Sequence, residues 1–317
     1  MDLSIVKFIQ RASCDFLDKV FSFLTVLGES SMFFMMFVAI YLCYKKDFAV
    51  RYMFYFILGS AFNDVLKSVF ARPRPYTHSG VLDVRHTSGY SMPSGHSQSF
   101  ALQATMIGGE FCRNNNSKKH RLTVIITLVV LGFIVGLSRI YLGQHYLTDV
   151  LVGLAIGVLF AIGLEILFNL IPAKVKKFIS TRAFLLLMIV PVLIMIVLVE
   201  YCNLGNANFV TFFYTYVAIY LGVLIGYNID KTFVQYKERA VWYIQLIKIA
   251  IACVGIVLLS FAFEGIVNEM VRNFCFYFTA TLYVTAVLPV IFKLVFGDKY
   301  AVNDCKTEVK ENKEESK

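Results

Sequence analysis

Charge is scarce in this chain. Asp, Glu, Lys and Arg make up 16% of its 317 residues, against about 25% in average soluble domains. Hydrophobic residues make up 58%, and mean hydropathy is +0.68. Together these values exclude an ordinary soluble domain. The chain also lacks a working cysteine pattern. Cys14, Cys43, Cys112, Cys202, Cys253, Cys275 and Cys305 include no C-x-x-C pair, and most lie in or beside apolar runs. Cysteine there acts as a small hydrophobe, which argues against a disulfide framework or a metal site. The first residues have no clean apolar core, because Asp2, Lys7 and Arg11 interrupt them. No cleavable signal peptide is expected. The net charge is +9, yet no nucleic-acid module or long basic face accompanies it. Nucleic acid is therefore not an expected partner.

What is present is a series of apolar runs near the 18–20 residues, roughly, that cross a bilayer. The expectation is an all-α polytopic membrane protein with about nine transmembrane helices. Residues 1–29 read as an amphipathic interfacial segment, apolar over Phe16–Leu27 but broken by Asp18, Lys19, Ser22 and Thr25. Spans follow at about 30–44, 48–70, 94–112, 122–137, 146–171, 183–199, 208–228, 241–262 and 274–292. The chain thus divides into a membrane core (30–171), additional transmembrane helices (183–293) and a charged, disordered tail (297–317). Gly132/Gly136, Gly153/Gly157 and Gly222/Gly226 are G-x-x-x-G pairs. They read as close helix-packing faces. Glu165 and Lys248 are charges within spans, and for Lys248 a structural role outweighs a functional one.

Loops at 45–47, 113–121, 172–182 and 230–240 are rich in Lys and Arg. By the positive-inside bias they face the cytoplasm. The loops at 71–93 and 138–145 then share the outer face, and the C-terminus is cytoplasmic. Arg72, Arg74 and Arg85 run against that bias, and phosphate binding gives them a reason to be there.

Three polar clusters sit between the apolar runs: Lys67 to Pro75, Pro93-Ser94-Gly95-His96, and Ser138-Arg139 with His145 and Asp149. Lys67, Arg74 and Arg139 match the charge of a phosphate, with the arginines offering paired planar donors. Pro93 fits the first helical position of the third span. The free N–H groups behind it make an anion site, with Ser94 adding a hydroxyl donor and Gly95 permitting close approach. His145 and Asp149 are i and i+4, so at the start of the fifth span they share a face. A carboxylate on one ring nitrogen raises the basicity of the other, which makes His145 a nucleophile. His96, from another helix, is the acid for the departing alkoxide.

This order of clusters, K-x6-R-P, P-S-G-H and S-R-x5-H-x3-D, resembles the signature of the type 2 phosphatidic acid phosphatase family over roughly residues 60–155. That family also holds undecaprenyl pyrophosphate phosphatases and vanadium haloperoxidases. The resemblance implies that His145 forms a phosphohistidine, Asp149 supports it and His96 protonates the leaving group. It implies that Lys67, Arg74, Ser94, Gly95, Ser138 and Arg139 hold the phosphate, with no metal and no cofactor. The implied substrate is a lipid phosphate or pyrophosphate, and the implied setting is a bacterial plasma membrane. A looser resemblance to sphingosine phosphate phosphatases rests on Gly28-Glu29, on Gly-Tyr-Ser-Met-Pro before Ser94 and on the added spans. Two other functions share these features: a phosphotransferase using the same phosphohistidine, and a lipid transporter or scaffold.

Overall fold

The structure is a computed structural model that describes residues 2–172, 174–175 and 207–296. Among these residues the regular elements are helical. In chain order they are α1 (Asp2–Gln10), α2 (Asp15–Leu24), a 3-10 turn (Thr25–Gly28), α3 (Ser30–Cys43), α4 (Lys46–Phe70), a short 3-10 turn (Pro75–Thr77), α5 (Gly95–Arg113), α6 (Lys118–Tyr141) and α7 (Leu147–Leu170). There follow α8 (Ala207–Ile229), a π-turn (Asp230–Val234), α9 (Trp242–Phe263), α10 (Glu269–Leu282), a second π-turn (Tyr283–Val287) and α11 (Leu288–Phe296). The expected span at 183–199 and the expected disordered tail lie outside the described residues.

Among the described residues five stretches are long and apolar enough to cross a membrane: Lys118–Tyr141, Leu147–Leu170, Val210–Val234, Trp242–Phe263 and Glu269–Phe296. A sixth is the pair Asp15–Gly28 and Ser30–Cys43, bent by 50°. The helices α4 and α5 were expected as spans and fall outside this set. Their polar residues answer each other instead of lipid. Asn63 Nδ2 donates to Gln98 Oε1 at 2.6 Å, and Tyr52 Oη donates to Gln103 Oε1 at 3.1 Å.

The chain forms two compact units. The first comprises Met1–Met36 and Arg51–Lys177. Its centre is α5, which packs mainly on α7 and then on α6. Gly153 explains how closely α7 approaches. A Cβ there would stand 2.6 Å from the Ser94 carbonyl oxygen and 3.3 Å from Ser97 Cβ. Gly136 does the same for α6, since a Cβ would stand 2.6 Å from Val150 Cγ1. The outer faces of α6 and α7 present Ile126, Val130, Phe133, Leu159 and Leu167, as lipid-facing helices do. Glu165 accepts from Tyr55 Oη at 3.2 Å and pairs with Arg51 and Arg113. That pairing gives the charge a structural explanation.

The second unit comprises Phe37–Val50 and the described residues after Phe178. Gly222 and Gly226 of α8 press against Thr281 and Thr285. Buried Asp230 takes Lys46 Nζ at 3.0 Å and Tyr41 Oη at 3.1 Å. Lys248 donates to the Glu238 carbonyl at 2.9 Å and to Gln245 Oε1 at 3.2 Å, with its ammonium 4.8 Å from the Tyr236 ring centre. Those contacts give this buried charge a structural explanation.

The close approach at Gly153 is testable. Gly153→Ala forces the Ser94 turn to move, an overpacking change that costs roughly 1–3 kcal/mol. The thermal midpoint of the detergent-solubilised protein should fall, and an unchanged midpoint would contradict the geometry.

Candidate active site

The third cluster is positioned by how α6 ends. Gly143 adopts φ +75°, a left-handed conformation that suits glycine. Its N–H donates to the Ile140 carbonyl at 3.0 Å, and Gln144 N–H donates to the Arg139 carbonyl at 3.1 Å. This pair of bonds is a Schellman C-cap. The turn returns the chain so that His145 N–H also reaches the Arg139 carbonyl, at 3.2 Å. Arg139 and His145 are thereby fixed beside each other.

Helix α7 begins one residue later than expected for a shared helical face. Tyr146 is its N-cap, and the Asp149 carboxylate reaches back to accept Tyr146 N–H at 2.9 Å. His145 therefore precedes the helix. Its Nδ1 stands 3.7 Å from Asp149 Oδ2, beyond hydrogen-bond range. The direct histidine–aspartate bond expected from the i, i+4 spacing is not formed, and Ser91 lies between the two side chains. Buried Ser91 donates its hydroxyl to Asp149 Oδ2, and its Oγ lies 3.5 Å from His145 Nδ1. The other carboxylate oxygen accepts from Arg72 Nη1 at 2.7 Å.

The first cluster divides by role. Arg74 is buried and donates to the Ser88, Gly89 and Gln144 carbonyls at 2.9, 2.9 and 3.1 Å. Its Nη1 is 3.3 Å from His145 Nε2. Arg72 and Arg85, thought of as phosphate ligands, are engaged elsewhere. Arg72 pairs with Asp149 and with Asp2 at 3.1 Å, and Arg85 pairs with Glu29 at 2.7 Å. Lys67, on the last turns of α4, faces the start of α5, where a Cβ on Gly95 would be 3.6 Å from its Nζ. The absence of that Cβ keeps the gap open.

The second cluster heads α5. Ser94 is the N-cap, and its side chain accepts Ser97 N–H at 3.4 Å. Pro93 stands just before the cap, behind a cis bond, and not at the first helical position. The cap's own N–H donates to the Asp149 carbonyl at 3.0 Å, which ties the second cluster to the third. The N–H groups of Gly95 and His96 take no partner among the described residues. His96 lies within electrostatic range of His145, Arg139, Lys67 and Arg85. Gly28 lets the 3-10 turn lie against it, since a Cβ there would stand 2.9 Å from His96 Cβ.

Arg139 is 1% exposed. Its Nη1 donates to Thr25 Oγ1 at 2.9 Å. Among the described residues its Nε is the buried side-chain polar atom left with no hydrogen-bond partner. Thr25 was unassigned by sequence reasoning, because a lone threonine in an interfacial helix carries no pattern. Ser138 differs from expectation: its hydroxyl donates to the Val135 carbonyl of its own helix at 2.6 Å. It faces its helix and does not offer a phosphate donor.

Among the described residues neither Arg74 nor Arg139 forms a salt bridge. A buried guanidinium without a carboxylate is costly unless an anion joins it. His145 is 2% exposed. Burial holds its imidazole well below the ordinary value of 6.5, and the charges of Arg139, Arg74 and Lys67 push the same way. A neutral imidazole keeps a lone pair available for attack on an electrophile.

The fold and this site define a helical membrane protein in which His96 and His145 lie within electrostatic range of each other, of Lys67 and of Arg139. A model of the PAP2 superfamily matches residues 48–172, and one of the PAP2 superfamily phosphatase transmembrane extension matches 214–298. Phosphatidylglycerophosphatase B of Bacillus subtilis is 32% identical over 167 residues, 51% of this chain and 78% of that protein. Dolichyldiphosphatase of Saccharomyces cerevisiae is 32% identical over 117 residues, 32% of this chain and 44% of that protein. The crystal structure of the first transmembrane PAP2 type phosphatidylglycerolphosphate phosphatase from Bacillus subtilis is 29% identical, with a TM-score of 0.48, covering 54% of this chain and 86% of that one. This chain belongs to the PAP2 superfamily.

The state of His145 yields a prediction. The unfolded chain takes up a proton near pH 6.5 and the folded one does not. Stability from the neutral ring is full above about that pH and is lost as the pH falls below it. In anion-free protein with isotope-labelled histidine, the resonance missing in His145→Ala should remain neutral at about pH 6. Titration at or above 6.5 would contradict the burial and the surrounding charge.

Proposed function

We propose that this membrane phosphatase hydrolyses a lipid phosphomonoester or pyrophosphate through a phosphohistidine. The observation that carries the reading is Arg139, a buried cation with an unpartnered Nε beside neutral His145. Such a donor calls for an anion. The named relatives act on a phosphatidylglycerophosphate and a dolichyl diphosphate, both lipids with a phosphate head.

In the reaction, Arg74, Arg139, Lys67 and the N–H groups of Gly95 and His96 hold the phosphate oxygens, with the Ser94 hydroxyl beside them. Nε2 of His145 forms a bond to phosphorus as the phosphorus–alkoxide bond breaks. Burial and then the charges of Arg139, His145, Lys67 and Arg85 hold the His96 imidazole well below its ordinary value before an anion binds. The entering phosphate offsets those cations, so that His96 takes up a proton with the substrate, gives it to the departing oxygen and then takes one from water. That water attacks phosphorus, the P–N bond breaks, and inorganic phosphate leaves. Asp149 stabilises the cationic ring. No step requires a metal.

The active site is assigned to the extracytoplasmic face. The loops that carry it, 71–93 and 138–145, lie across α5 and α6 from the basic loop at 113–121. Arg72 and Arg85, which otherwise offset that bias, have carboxylate partners.

Purified protein in EDTA should release phosphate from at least one of phosphatidylglycerol phosphate, phosphatidic acid, undecaprenyl pyrophosphate and a sphingoid phosphate. His145→Ala should reduce release to background. Persistence of release in that variant removes His145 as nucleophile, and loss of release in EDTA removes the metal-free route. His96→Ala should slow alkyl esters by about 10²–10⁴-fold and an aryl phosphate far less. Equal losses on both would contradict the acid role.

A further inference from the structure

We infer that Ser91 is a positioning residue that couples Asp149 to His145, standing where a direct histidine–aspartate bond was expected. This inference rests on the proposed role of His145. Three observations carry it. The direct separation is 3.7 Å from His145 Nδ1 to Asp149 Oδ2, too long for a hydrogen bond. Ser91 Oγ lies 3.5 Å from Nδ1 and donates its proton to that same Oδ2. All three side chains are buried, so no bulk water competes for these contacts.

The remaining contacts fix the direction of the bridge. Asp149 Oδ2 also accepts Tyr146 N–H, and Oδ1 accepts Arg72 Nη1. The carboxylate is held as an acceptor on both oxygens, so the serine proton belongs on the aspartate side. The serine lone pairs, beside the Ser91 backbone that also hydrogen-bonds this ring, are then left to accept a proton from Nδ1. A protonated Nδ1 leaves Nε2 as the lone-pair nitrogen, and Nε2 is the atom 3.3 Å from Arg74 Nη1. The bridge thus selects the tautomer that points its nucleophilic nitrogen toward the cations.

During attack the Nε2 lone pair becomes the bond to phosphorus and the alkoxide leaves. The ring becomes cationic while keeping its Nδ1 proton. That proton is donated to Ser91 Oγ, whose own proton is donated to Asp149. The positive ring is stabilised by the aspartate through one hydroxyl, and no proton needs to leave the chain of three. Ser91 itself is held by the backbone, since its N–H donates to the Arg72 carbonyl at 2.8 Å. The residue that clamps Asp149 by its side chain therefore also positions the bridging serine by its main chain.

The test compares Ser91→Ala, Ser91→Thr, Asp149→Asn and the Ser91→Ala/Asp149→Asn double variant, with His145→Ala in parallel. Inorganic phosphate binding is measured for each by calorimetry. Ser91→Ala should lower kcat about tenfold or more, with KM and phosphate affinity within about twofold of wild type. Ser91→Thr, which keeps the hydroxyl, should recover most of the rate. The double variant should be no slower than Asp149→Asn alone, because both changes cut one path.

A wild-type kcat in Ser91→Ala, while His145→Ala is dead, overturns the inference and leaves the nucleophile intact. Multiplied losses in the double variant also overturn it. So does loss of phosphate binding in Ser91→Ala without recovery in Ser91→Thr, because that outcome describes a merely structural serine. Full turnover in His145→Ala instead overturns the phosphohistidine reading on which the inference stands.

Discussion

An unpaired guanidinium in the interior is the constraint around which this pocket is organised. Arg139 is closed off from solvent and bonded by Thr25, yet its Nε has no partner among the described residues. Arg74 is likewise buried, and among the described residues its side chain hydrogen-bonds carbonyl oxygens and approaches a histidine. Removing a cation from water costs several kcal/mol unless an opposite charge compensates it. Fixed dipoles offset part of that cost and leave the rest for a ligand. Burial and then the same charges keep His145 neutral, so the groups suited to an anion also leave a lone pair on the neighbouring imidazole.

Backbone devices convert three distant segments into one pocket. A left-handed glycine closes α6 and turns His145 back onto Arg139. Asp149 holds its own helix start through Tyr146 N–H and receives the serine and arginine donors on its two oxygens. Its carbonyl accepts from Ser94, so the start of α5 and the start of α7 are joined by main chain. Gly153 makes room for that union, and Gly95 makes room for Lys67. Arg72 adds a link outward, because it joins Asp149 to Asp2 of the first helix. The N-terminal segment is therefore part of the site's framework as well as an amphipathic helix.

Much of this was legible in the chain itself. Cations, histidines and an aspartate set among apolar runs stand out because a bilayer does not tolerate them idly. Loop parity implied that they converge, and the structure sets Lys67 beside Gly95, Arg74 and Arg139 beside His145, and His96 within electrostatic range of His145, Arg139 and Lys67. What escaped were contacts that depend on where a helix begins by one residue. The i, i+4 spacing of His145 and Asp149 implied a shared face, but His145 lies before the helix, and a serine 54 residues away fills the gap. Arg72 and Arg74 are two residues apart and identical in chemistry, yet one binds a carboxylate and the other faces the His145 ring. Ser138 has a signature position but turns its hydroxyl to its own helix. Thr25 carries no periodic or motif signal, so only packing reveals it; Ser91 lies in the Gly-Tyr-Ser-Met-Pro stretch, but that stretch alone does not say what its hydroxyl touches.

The most direct measurement is a quench experiment with a lipid substrate carrying radiolabelled phosphate, followed by digestion of the trapped protein. Acid-labile, base-stable label on the peptide containing His145, absent from His145→Ala, is the result expected of a neutral imidazole held among these cations. Label on another residue during normal turnover would contradict it.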